Sequence, residues 1–62
     1  MIINIYMKDK IINLNYYGNR NNKAVMTEIN DILNNSKFIC FNDGFSEKIT
    51  INTNEIIRIE YC

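Results

Sequence analysis

The chain contains no histidine, tryptophan, proline or glutamine, a single alanine, a single valine, two glycines and two cysteines. Each absence excludes something. Without histidine there is no side chain that ordinarily exchanges a proton near neutral pH, so a general base would have to be a carboxylate, lysine or tyrosine with a strongly displaced pKa. With Cys40 and Cys62 as the only soft ligands, a zinc site lacks its donors, and neither a metal nor another cofactor is expected. A disulfide is a poor staple here, because Cys62 stands where chain ends fray and bridge geometry is badly held. No apolar run approaches the roughly 18 residues of a membrane span. Met1 to Met7 is apolar but interrupted by Asn4 and followed by Lys8 and Asp9, with no charged leader or cleavage site. The expected location is therefore cytoplasmic and reducing.

Charge of either sign is also missing as a surplus: seven Lys plus Arg balance seven Asp plus Glu, and the pI is near 6.1. The cations Lys8, Lys10, Arg20, Lys23, Lys37, Lys48 and Arg58 are scattered along the chain, whereas binding a phosphate backbone needs several gathered on one face. Nucleic acid is not the expected partner.

What is abundant is asparagine and isoleucine, which together fill 25 of 62 positions. AT-rich codons encode both, so a frequent Asn is poor evidence for a site, and the placement of the isoleucines carries the information. At 62 residues there is room for one domain, residues 1–62, with one modest core. A chain this short buries only about 60% of its unfolded surface, and its core seldom supplies more than roughly 3–5 kcal/mol. With metal and disulfide set aside, oligomerisation or a partner is the remaining support.

Alternation predicts a strand from Ile2 to Met7 with Ile3, Ile5 and Met7 on one face, a break at Lys8 to Lys10, and a second strand from Ile11 to Tyr17 with Ile12, Leu14 and Tyr16 inward. The two should pair as a hairpin. Gly18 to Asn22 reads as a loop whose last asparagines cap a helix from about Lys23 to Leu33. Val25, Ile29, Ile32 and Leu33, with Met26 beside them, form its apolar stripe. Asn34 to Ser36 end the helix. Lys37 to Asn42 returns to strand, and the continuous run Phe38 to Phe41 reads as covered on both faces or central in a sheet. Asp43 and Gly44 signal a reversal. Lys48 to Thr53 alternates with Ile49 and Ile51 inward, a turn follows to Glu55, and a last strand from Ile56 to Tyr61 places Ile57, Ile59 and Tyr61 on one side. The expected fold is α+β, one helix packed on a small, mainly antiparallel sheet, in the order β-β-α-β-β-β.

Ile2, Tyr6, Ile11 and Tyr17 point away from the inward sets of that hairpin. One helix cannot cover them, so self-association through Ile2 and Ile11, giving a homo-oligomer, is expected. A strongly curved sheet burying part of both faces is the plainer alternative.

Among chemistry-bearing residues, Asp43, Ser46 and Glu47 form the one compact polar cluster, and turn chemistry accounts for it. The run from Asn42 to Glu47 fails as a calcium loop because its glutamate arrives too early in the spacing. Cys40 reads as a small buried hydrophobe, and Cys62 as exposed. No catalytic residue is assigned. Tyr16, Tyr17, Gly18, Asn19 and Arg20 are more suggestive, since tyrosine and arginine are enriched where interfaces concentrate their energy. Tyr6, Tyr17, Asn19, Arg20 and Lys23 are the binding candidates, set against a reading in which Tyr16 is core and Tyr17 merely shields a sheet edge.

The stretch Lys37 to Tyr61, through Phe38, Asn42, Asp43, Gly44, Ile51, Asn52, Thr53, Asn54, Ile56, Ile57 and Glu60, resembles short phage and mobile-element proteins of low-GC Gram-positive bacteria, anti-CRISPR-like inhibitors among them. The resemblance implies a non-enzymatic protein that blocks a host or defence protein by contact, and it assigns no functional residue. The alternative is a small homo-oligomeric nucleic-acid-binding regulator, in which assembly gathers the scattered cations.

Overall fold

Strand β1 (Ile2–Met7) lies at the centre of a three-stranded antiparallel sheet between β2 (Ile11–Asn15) and β5 (Ile56–Tyr61), in a computed structural model that describes residues 1–62. Ile3 faces Leu14 and Ile5 faces Ile12 across the first hairpin, so the alternation in both segments delivers its apolar set to one face. Ile3, Ile5 and Leu14 are fully buried, with Met7 and Tyr16 nearly so.

Helix α1 (Asn22–Asn35) follows the loop after β2. Asn21, in extended conformation, caps it: its side-chain oxygen accepts from the Ala24 N–H at 2.8 Å. Val25 and Ile29 enter the core, and Ile32 and Leu33 pack at its margin. The helix runs two residues beyond the expected Leu33. Asn35 donates its side-chain amide to the Asp31 carbonyl one turn back, at 2.8 Å. Thr53 then ties the helix exit down, its hydroxyl 2.8 Å from the Ser36 carbonyl.

The order is α+β, β-β-α-β-β-β, with a 3-10 turn, Thr53–Glu55, between the last two strands. The strands divide between two sheets, because β3 (Phe38–Cys40) and β4 (Thr50–Asn52) pair only with each other. This corrects the reading of Phe38 to Phe41 as a central or doubly covered strand. Ile39 and Phe41 are buried, but Phe38 is 56% exposed and Cys40 is exposed rather than a core residue. In so short a strand, one face reaches the core and the other meets solvent.

A second correction concerns Ile57. The β1–β5 register shifts between Tyr6 and Met7: Tyr6 faces Arg58, but Met7 faces Ile56, leaving Ile57 as an extra residue in β5. Ile56 takes the core-side place, and Ile57 is 66% exposed.

The two sheets are joined by the loop that carries the reversal at Asp43 and Gly44. Tyr16 and Phe45 form an isolated antiparallel bridge. The Ser46 N–H donates to the Asn15 carbonyl at 2.8 Å, the Asn15 N–H donates to the Ser46 hydroxyl at 3.1 Å, and the Tyr17 N–H donates to the Gly44 carbonyl. The loop thus closes the far end of the β2 edge. No helix is long and apolar enough to cross a membrane.

Candidate interaction surface

Tyr16 organises the segment that the sequence singles out. Its ring is buried, with the Phe45 centroid 4.9 Å away, and Phe45 in turn meets Phe41 edge-on at 5.1 Å. Both glycines of the chain lie against it. A Cβ on Gly18 would overlap the Tyr16 hydroxyl, and one on Gly44 would stand 2.7 Å from its Cε1. Gly44 also has φ +96°, a conformation that L side chains rarely adopt. Above the ring, Arg20 donates from Nε to the Tyr16 hydroxyl at 3.1 Å. The Arg20 guanidinium forms an ion pair with Glu28, joining the loop to α1.

The consequence is a loop with a fixed backbone and an exposed aromatic. Tyr17, 73% exposed, projects from a main chain held by Gly44, beside an Arg20 whose position is set by Tyr16 and Glu28. Asn19 and Lys23 are exposed on the same loop and helix start, and Lys23 lends its carbonyl to the Thr27 hydroxyl at 2.9 Å. Behind the Arg20–Glu28 pair lies a small cavity of about 30 Å³ lined in part by Val25, Ile29, Ile39 and Phe41.

Tyr6 belongs elsewhere. It stands on the opposite face of β1 beside the first turn, paired across strands with Ile11 and Arg58, and the Arg58 guanidinium covers its ring at 4.2 Å. Met1, the strand's other end, is the neighbour of Tyr16. About five residues of strand, roughly 17 Å, therefore separate Tyr6 from the Tyr17 loop. The two self-association candidates are also apart. Ile2 is opposite Asn15 and Ile11 opposite Tyr6, with the Asn13, Asn4 and Glu60 row between them, so the outer face holds two small apolar islands divided by polar side chains.

Ser46 serves Asn15, and Asp43 meets Lys48 at 3.8 Å in full exposure. No three of the cysteines and carboxylates gather in one place. Tyr61 donates its hydroxyl to the Asn30 side-chain oxygen at 3.3 Å, and burial raises its pKa. The Tyr16 clamp and the Arg58–Tyr6 stack escape sequence reading, because both join residues distant in the chain; two glycines and an aromatic lead are the only hints. No family model, curated protein or solved structure matches the chain.

Proposed function

We propose that this chain is a small non-enzymatic binding protein that acts in the cytoplasm by occupying a surface of another protein, as an inhibitor of a host or defence protein carried by a phage or mobile element. The observation that carries the reading is the Tyr17 loop. An aromatic side chain held outward on a fixed backbone loses little conformational entropy on binding, and tyrosine with a neighbouring arginine is the composition in which interface energy concentrates. The C-terminal resemblance to phage and mobile-element proteins supports the inhibitory role.

The test is affinity capture from a nuclease-treated lysate of a low-GC Gram-positive host at low and high salt, with Tyr17→Ala and Lys23→Ala run beside the native chain. One stoichiometric protein retained at high salt and lost with Tyr17→Ala, while the variant's circular dichroism is unchanged, is the expected outcome. Arg20→Ala is a weaker probe because it also unties Tyr16. Recovery of nucleic acid alone, at low salt and before nuclease, would replace this reading with the oligomeric regulator.

A further inference from the structure

The outer edge of β5 is the longest strand edge without a neighbour in the molecule. Ile2 and Cys62 exchange N–H···O bonds at 3.2 and 2.9 Å. Antiparallel partners alternate between bonded and non-bonded pairs, so Asn4–Glu60 and Tyr6–Arg58 are the next bonded pairs in this ladder. Ile59 and Tyr61 accordingly turn their N–H and C=O groups away from β1, and β5 has no second strand neighbour. Edges of this kind are usually blunted by proline, lysine or a covering loop. Here the chain has no proline, the charges on β5 are one of each sign, Arg58 and Glu60, and its bulge lies only at the start. The β2 edge differs: its Asn15 groups are taken by Ser46, which leaves Ile11 and Asn13.

We propose that the β5 edge is a homodimer interface, on which a second copy of this chain adds its own β5 antiparallel across a two-fold axis at Ile59. Charge selects both the occupant and the register. With Ile59 on the axis, Arg58 lies opposite the partner subunit's Glu60, and Glu60 opposite the partner subunit's Arg58, giving two opposite-charge pairs from side chains 61% and 46% exposed in the single chain. Moving the axis by one residue in either direction sets Arg58 or Glu60 against its own copy, an arrangement that like charges disfavour. Within one chain Arg58 lies over Tyr6 and meets Glu60 at 3.8 Å, so association exchanges the intrachain ion pair of each copy for a pair across the axis. At the axis, Ile59 exchanges two main-chain bonds with the partner subunit's Ile59, and the ladder continues through Tyr61. The product is one six-stranded sheet, β2-β1-β5-β5-β1-β2, and because the contact is isologous the assembly stops at two copies.

The inference is independent of the partner-binding reading, and its test uses the purified chain alone. Sedimentation equilibrium from micromolar to millimolar concentration should give a mass rising toward twice 7.4 kDa. Arg58→Glu and Glu60→Arg should each weaken the dimer roughly tenfold, since each places two like-charge contacts across the axis, and the double exchange should restore it. A synthetic chain N-methylated at Ile59 loses only an outward-facing donor, so it should keep its fold by circular dichroism and remain monomeric. A native chain that stays monomeric at millimolar concentration would overturn the proposal. So would a dimer that survives N-methylation, or one that the double exchange does not restore in a folded chain.

Discussion

Replacing Gly44 by alanine tests whether the Tyr16 clamp is as tight as its geometry implies. At φ +96° an L residue takes on a left-handed penalty of about 1–2 kcal/mol. Its Cβ would then stand 2.7 Å from Tyr16 Cε1 and 3.1 Å from Gly18 Cα. Neither neighbour yields easily: one ring edge is held by Phe45 and the Arg20 bond, and the other contact is backbone. Overpacking of this kind costs about 1–3 kcal/mol, so the substitution should cost about 2–5 kcal/mol in all. A chain of 62 residues holds only about 3–9 kcal/mol at the usual stability per residue. Gly44→Ala should thus lower the thermal midpoint by at least ~10 °C, read by circular dichroism with urea titration alongside. D-alanine at the same position, introduced by chemical synthesis, removes the dihedral penalty and moves the methyl off the position that meets Tyr16, so it should recover at least about 1–2 kcal/mol of the loss. An L-alanine variant within ~0.5 kcal/mol of native, or L and D variants of equal stability, would refute the reasoning.

Two further outcomes follow from the last strand. Burial holds the Tyr61 phenol above its ordinary pKa, so the unfolded chain loses that proton first. Stability is unaffected below about pH 10 and falls as pH rises through the folded-state value. The urea midpoint of the native chain should therefore drop more steeply above about pH 10 than that of Tyr61→Phe, and parallel curves would count against the burial argument. At the bulge, Ile57→Ala should change stability by less than ~0.5 kcal/mol, while Ile56→Ala should cost about 1–3 kcal/mol; equal urea midpoint shifts at dilute concentration would mean that the register is misplaced.

The first hairpin and the helix were legible because one physical rule governed each. Period-two alternation placed Ile3, Ile5, Met7, Leu14 and Tyr16, and an asparagine cap with a period-3.6 stripe placed Val25 and Ile29. Ile57 was misplaced because counting alternation back from Tyr61 assumes an unbroken pleat, and a bulge shifts every residue before it to the other face. Phe38 to Phe41 misled because hydrophobicity reports what a residue prefers, not whether a strand has neighbours enough to cover both faces. At the candidate surface, the outward direction of Tyr17 was readable from strand parity. Its separation from Tyr6, and the clamp that steadies its loop, depend on long-range pairing that local pattern does not encode.

The placement of β1 between β2 and β5 also bears on how the chain is made. The central strand is synthesised before both of its neighbours, and β5 emerges only after β2, α1, β3 and β4, with Ile3 paired to Tyr61. Hairpin β1–β2 can form early, but until translation reaches β5 the main-chain groups of Asn4 and Tyr6 have no strand to meet. Closing contacts across nearly the whole sequence slows folding relative to local pairing. A nascent chain in which β5 has not yet emerged would expose the strand edge that β5 covers, a state open to wrong pairing with other polypeptides. For this fold, the central sheet can close only after the helix and the other strands have been made.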